Sequence, residues 1–114
     1  MDTQYRKTIG NAGELLVQNV YEQKGYCCKD KNFTIRGGEL DLIMEDDTTL
    51  VVVEVKVVNY MDNLHNYITP KKLMTLQKSI QIYLWKYPTN KPVRLDIVFV
   101  KGNEIVQTYE NVEI

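Results

Sequence analysis

The chain has 114 residues, a formal net charge of −1, 44% hydrophobic and 25% charged residues. That length predicts one domain, residues 1–114, able to bury a single core without staples. No run approaches the ~20 apolar residues that span a bilayer, and the polar start from Met1 to Lys7 runs into a helical pattern, unlike a secretory signal. Cys27 and Cys28 are adjacent, a spacing that rarely meets disulfide geometry, and no Cys/His cluster is spaced for zinc. The expectation is a reduced, cytoplasmic chain with no membrane contact.

In chain order, Ile9, Ala12, Leu15, Leu16 and Val20 recur at helical spacing and predict a helix from about Ile9 to Lys24, stopped by Gly25. An extended piece follows from Tyr26 to Ile35, broken at Gly37-Gly38. Glu39 to Met44 alternates apolar and acidic residues as a strand does. Asp46 to Thr49 is a turn, and Leu50 to Val58 is a Val-rich strand. Asn59 to Ile68 reads as loop. Thr69 is placed to cap a second helix with Pro70 at its first position, running to about Lys86 and burying Leu73, Leu76, Ile80 and Leu84. After the break at Pro88 to Pro92 come a strand from Val93 to Val100, a turn at Lys101-Gly102-Asn103, and a last strand from Glu104 to Tyr109. The order α-β-β-β-α-β-β predicts an α/β fold with a mixed sheet flanked by helices.

Charge is unevenly spread. From Asn59 to Pro92 five lysines (Lys71, Lys72, Lys78, Lys86, Lys91) stand against one acid, Asp62, a local balance of +4. The acids gather between Glu39 and Glu54. A basic segment beside an acidic centre suits an enzyme that grips phosphates around a cation. A solvated helix face accounts for the lysines equally well, and the overall −1 weighs against nucleic-acid affinity driven by total charge.

The two central strands carry the chemistry. With Asp46 to Thr49 as a four-residue hairpin loop, Glu45 pairs with Leu50, Ile43 with Val52, Asp41 with Glu54 and Glu39 with Lys56. Leu40, Leu42 and Met44 then share one face with Val51, Val53, Val55 and Val57. The opposite face presents Glu39, Asp41, Glu54 and Lys56. Directly opposed carboxylates repel unless a cation sits between them. Magnesium, held by one or two carboxylates with water and phosphate oxygens, fills that place. Lys56 would then stabilise the charge that develops on a phosphodiester. A solvated hairpin face with a weak Glu39–Lys56 ion pair reads the same residues without chemistry. Against it, Ile43 and Val52 share the charged face, so that face is expected to be partly covered, where unpaired carboxylates are costly.

Glu39-Leu40-Asp41-Leu42-Ile43 followed by Val53-Glu54-Val55-Lys56 resembles the signature of the YraN-type endonuclease-like family, which is similar to archaeal Holliday junction resolvases within the PD-(D/E)XK superfamily. The resemblance extends through Gly10-Asn11-Ala12-Gly13-Glu14, Lys24-Gly25-Tyr26, Arg36-Gly37-Gly38-Glu39, Thr69-Pro70-Lys71-Lys72 with Tyr83-Leu84, and Arg94-Leu95-Asp96-Ile97-Val98. It implies a restriction-endonuclease-like core and a metal-dependent endonuclease that hydrolyses DNA phosphodiester bonds, with branched or otherwise structured DNA as the expected substrate. It makes Asp41 and Glu54 ligands of Mg2+ (Mn2+ as a substitute), with the Val55 carbonyl as a third ligand. Lys56 would orient the attacking water or stabilise charge, and Glu14 would reach the same site. Periodicity alone disagrees about Glu14, placing it in solvent away from the Ile9/Ala12/Leu16 side, in the company of Gly10, Val17 and Tyr21. Lys71, Lys72, Lys78 and Arg36 are the candidate contacts to nucleic acid. The resolvase likeness makes a homodimer plausible.

Two departures bear on substrate grip. The family commonly has an Arg soon after the lysine of E-x-K, where this chain has Val57, Val58 and Asn59. The next loop reads Tyr60 to Tyr67 rather than Gly and small residues. His65 is the sole histidine, and Gln77 a polar group of the second helix; neither needs a role. Tyr60 and Tyr67 offer stacking surfaces, and Arg94 with Asp96 reads as a structural pair. The alternatives to an active nuclease are a nucleic-acid-binding module without turnover and a partner-binding protein with a vestigial site.

Overall fold

The computed structural model describes residues 3–59 and 64–113, with the side chains of 3–9 and of 65 outside that description. Its elements are α1 (Thr3–Gln23), β1 (Cys27–Ile35), β2 (Gly38–Glu45), β3 (Leu50–Val57), a short 3-10 helix (Leu64–Tyr67), α2 (Pro70–Lys86), β4 (Val93–Lys101) and β5 (Glu104–Tyr109). The predicted order stands, and the five strands form one sheet in the order β1-β2-β3-β4-β5. β3 and β4 are parallel, joined by the α2 crossover, while the other neighbours are antiparallel. This is the mixed α/β sheet flanked by helices that the element order predicts. Among the described residues no helix is long and apolar enough to cross a membrane. Both cysteines are free thiols.

The helices start and stop for local reasons. Thr69 caps α2 by accepting the Lys72 N–H, and Pro70 fills the first turn, as the sequence predicts. α1 ends at Gly25, where the Tyr26 N–H returns to the Tyr21 carbonyl at 3.1 Å, the bond that closes many helix C-termini. The α1 helix begins earlier than predicted, at Thr3 rather than near Ile9.

Each face of the sheet is covered by one helix. α2 packs over Leu40, Ile43, Leu50, Val52, Leu95, Ile97 and Phe99, contributing Leu76, Ile80 and Tyr83. Of the four residues expected to be buried on α2, Leu73 and Leu84 are partly buried against this cluster. α1 covers Leu42, Met44, Val51, Val53, Val98 and Val100 with Val17 and Tyr21. Because β3 and β4 are covered on both sides, their Val- and Ile-rich runs are buried at successive positions, as parallel strands require.

Two expectations about facing need correction. The packed side of α1 is Gly13, Val17 and Tyr21, and Leu15 is 55% exposed. The apolar count favoured the Ala12/Leu15/Leu16 side because glycine carries no hydropathy signal. Yet Gly13 is where α1 comes closest to the sheet: a Cβ there would lie 2.9 Å from Val57 Cγ2. Leu40 also packs with Ile43 under α2 rather than with Leu42 and Met44. Strict alternation is broken at Asp41. The β1–β2 register is the same on either side of it, Lys31↔Leu42 and Phe33↔Leu40, but no Asn32–Asp41 pair joins them, and Asn32 is in the left-handed conformation (φ 54°).

One buried polar network ties α1 to the sheet. Asp96 is fully buried and accepts two hydrogen bonds of 2.9 Å from Arg94, one from the Tyr21 hydroxyl and one from the Asn111 N–H at 3.0 Å. The expected Arg94–Asp96 pair is therefore present, and it is structural.

α2 rests on β2 at Gly38, where an added Cβ would collide with the buried Ser79 hydroxyl and meet Thr75 Cγ2 at 3.4 Å. Overpacking of this kind costs ~1–3 kcal/mol. Gly38→Ala is expected to lower stability by about that amount in urea titrations, and Ser79→Ala in the same chain should recover most of the loss. Equal losses in the single and double variants would refute close approach as the cause.

Candidate functional site

The β2–β3 hairpin has the predicted register, Glu45↔Leu50, Ile43↔Val52 and Leu42↔Val53. The tight turn is held by the Asp46 carboxylate, which accepts the Thr48 and Thr49 N–H groups at 2.9 and 2.8 Å. The ladder then stops. Asp41 does not pair with Glu54 across it, nor Glu39 with Lys56. Beyond Leu42 the Asp41 carboxylate itself takes the next donor, accepting the Val55 N–H at 2.8 Å. The two strands part at this point, and the fork opens a small cleft of about 180 Å³ lined by Asp41, Glu54, Val55, Lys56, Tyr67, Lys72, Leu76, Ile97 and Phe99. A second groove continues from it past Gly37, Gly38 and Glu39 between the β1–β2 turn and α2, sharing Asp41, Glu54 and Lys72.

Glu54 is the unusual member. It is only 8% exposed, sits beside Asp41, and its Oε2 is buried without a hydrogen bond. The Lys72 ammonium lies 3.3 Å from that oxygen, in ion-pair range but outside hydrogen-bonding geometry. Burial first, then the neighbouring Asp41 carboxylate, pushes the Glu54 carboxyl well above the ordinary carboxylate range, while Lys72 pulls it back. Like carboxylates in one dry site behave this way.

The remaining predicted residues are placed as follows. Lys56 is exposed at the cleft mouth, its ammonium 5.3 Å from the centre of the Tyr67 ring, a cation–π contact. Glu14 is half-buried on the packed side of α1, against the periodicity reading, and lines a neighbouring groove with Asn11, Lys31 and Asn32. Burial, and then repulsion by Asp41 and Glu39, raises its pKa to about 7. Asn32 gathers these acids: with its amide nitrogen facing them it donates to Glu14 Oε1 at 2.9 Å and to Glu39 Oε1 at 3.3 Å. Lys71, Lys78 and Arg36 are exposed and line neither part of the cleft. Gln77 is exposed on α2. Tyr60 and the His65 side chain lie outside the described residues.

Sequence reasoning missed Asn32 and the Lys72–Glu54 pair. An Asn inside an otherwise β-like run signals a left-handed position, which is the conformation it has. Lys72 was legible only as a lysine of the helix, because the fold, not the spacing, brings α2 over β3.

The raised carboxyls fix a pH dependence. A carboxyl that holds its proton more tightly in the folded state opposes folding as soon as the unfolded chain ionises. As far as these groups are concerned, the stability of the metal-free protein is therefore greatest below their ordinary value of 4.5. It falls as pH rises, through about 7 for Glu14 and further into the alkaline range for Glu54. Chemical denaturation in a chelating buffer across this range should show the decline, and Glu54→Gln should flatten its alkaline part. An unchanged slope in that variant would be the contrary result.

Residues 13–100 match the family described as "Uncharacterised protein family UPF0102". A UPF0102 protein of Syntrophomonas wolfei is 34% identical over 82% of this chain and 84% of its own length. One from Nitratiruptor is 32% identical over 93% of each, and the UPF0102 protein HEAR0176 of Herminiimonas arsenicoxydans is 31% identical over 88% of this chain and 82% of its own. Among solved structures, the one described as "Crystal structure of SSO0001" superposes with a TM-score of 0.48 at 20% identity, covering 92% of this chain and 50% of that one. By the match across its hairpin, helix and closing strand, the chain belongs to the UPF0102 family.

Proposed function

We propose that the protein is a divalent-metal-dependent endonuclease that hydrolyses DNA phosphodiester bonds, with structured or branched DNA as its substrate. The observation that carries this reading is the Glu54 carboxylate, buried beside that of Asp41 with its Oε2 met only by the Lys72 ammonium at 3.3 Å. Buried acceptors are almost always satisfied, and an exception in a cleft marks a place for a ligand.

The donor set fits magnesium or manganese. Asp41, Glu54 and the Val55 carbonyl would hold the ion, with water and phosphate oxygens completing its shell. Among the described residues no three His, Cys, Asp or Glu side chains cluster as a metal site, so in this reading Asp41 and Glu54 would share the ion with substrate, and Glu14 would have to approach from its neighbouring groove to join them. When bound, such an ion activates a water molecule and polarises the phosphoryl group.

The chain's own residues set the rest. The Val55 N–H fixes the Asp41 carboxylate in orientation. Lys72 balances part of the carboxylate charge and stands where an incoming phosphate would compete for its ammonium. Lys56, free to swing from the Tyr67 ring, offers positive charge at the cleft mouth for the oxygens that become more negative during attack. Arg36, Lys71 and Lys78 would contact the flanking backbone. The Lys72–Glu54 pair favours a second reading, because it lets the site stay charge-balanced with no cation, as a binding module without turnover would need.

Magnesium is expected to raise the melting temperature of the wild-type protein and not of Asp41→Ala. Linear, flapped and four-way DNAs should be cut only with the metal present, and Asp41→Asn or Lys56→Ala should lower the rate about a hundredfold or more. Salt-sensitive binding without cleavage would select the second reading. Neither thermal response nor cleavage would reject the nuclease.

A further inference from the structure

α2 has two sides with different jobs. Leu76, Ser79, Ile80 and Tyr83 are buried against the sheet. Directly opposite, Lys71, Met74, Lys78, Gln81 and Trp85 recur at alternating three- and four-residue steps, and all five are exposed. Trp85 is 88% exposed and Met74 69%, although tryptophan is highly buried on average. α2 contains four lysines and no acid from Pro70 to Lys86. The stripe starts next to Lys72, which reaches Glu54, and at 1.5 Å per residue it ends ~20 Å away at Trp85.

We propose that the outer stripe of α2 is a track for a single nucleic-acid strand, with Lys71 and Lys78 following its phosphates and Trp85 stacking on an unpaired base. This inference deepens the nuclease reading and rests on it for the position of the scissile bond. Two exposed lysines on one side of an acid-free helix fit a polyanion, and a flat exposed indole fits a base face; together they match the way single strands are held. A duplex keeps its bases stacked inside, so Trp85 requires an unpaired one. Over ~20 Å that base lies a few nucleotides from the cleft, fewer than the ~3.4 Å rise of a duplex strand would give, because an unpaired strand is more extended. A substrate with a flap or single-stranded tail supplies it, whereas a blunt duplex does not. A second copy laid antiparallel on this stripe would oppose Lys78 to Lys78 at its centre.

Trp85 is the sole tryptophan, so its fluorescence reports on this surface alone. Full-length protein in chelating buffer, where cleavage is stopped, is titrated with an oligothymidylate, a blunt duplex, a duplex with a single-stranded tail, and anionic phosphatidylserine vesicles. The expected result is quenching by the oligothymidylate and the tailed duplex but not by the blunt one. Trp85→Ala should weaken binding of a labelled oligothymidylate about tenfold, with its circular dichroism unchanged. Lys78→Gln should reduce the salt dependence of binding. Equal quenching by blunt and tailed DNA, a response to vesicles alone, or a response to protein concentration that tracks dimerisation would each overturn the proposal. Quenching by single strands in a protein that never cleaves DNA would uphold this surface and reject the nuclease. Cleavage with wild-type affinity in Trp85→Ala would do the reverse.

Discussion

The hydrogen bond from the Val55 N–H to the Asp41 carboxylate is the point on which the site depends. Where β2 leaves β3, a backbone donor in a half-buried position loses its ladder partner, and leaving it unmet would be costly. A side-chain carboxylate supplies the acceptor. That substitution does two things together. It lets the strands separate without an orphaned donor, and it holds Asp41 beside Glu54 instead of letting the two acids turn away from each other. The repulsion that results has to be relieved by a proton on Glu54, by the Lys72 ammonium at 3.3 Å, or by a cation. The chemistry proposed for the cleft is one of those three answers.

The fork was legible in part. The turn residues and the alternation after Glu39 gave the hairpin and its register as far as Leu42 and Val53, because a one-residue slip would expose an apolar face. The same rule, extended by one more pair, put Asp41 opposite Glu54 and Leu40 beside Leu42, and there it failed. Period-two reasoning assumes a continuous ladder, whereas Asn32 takes a left-handed conformation opposite Asp41 and Leu40 crosses to the α2 side. The deviation falls at the acid itself, whose carboxylate takes the Val55 N–H where the ladder has stopped.

The misread face of α1 has a related origin. Gly13, Val17 and Tyr21 carry less apolar weight than Leu15 and Leu16, so a hydropathy wheel points away from them. What brings α1 down onto the sheet is the absence of a side chain at Gly13, with Val57 close by. Glu14 follows that glycine and is carried to the edge of the fork, where Asp41 and Glu39 act on it. The physical reason that Glu14 lies on the packed side of α1 is close backbone approach at Gly13, a property that composition does not register.

Two acids on this sheet are almost equally buried, and they differ in a way that separates architecture from chemistry. Asp96 has every oxygen engaged, by Arg94, Tyr21 and the Asn111 N–H. Such a carboxylate is inert, and its partners join α1 and the chain after β5 to β4. Glu54 is buried by the same layers, yet one oxygen has no hydrogen bond and its nearest cation is the flexible end of a lysine on another element. A fold that can satisfy Asp96 so fully has the means to satisfy Glu54. At the fork the oxygen faces a cleft flanked by Lys56 and Lys72, with the Lys72 ammonium at 3.3 Å as its charge partner; in the proposed reading a cation takes over that role.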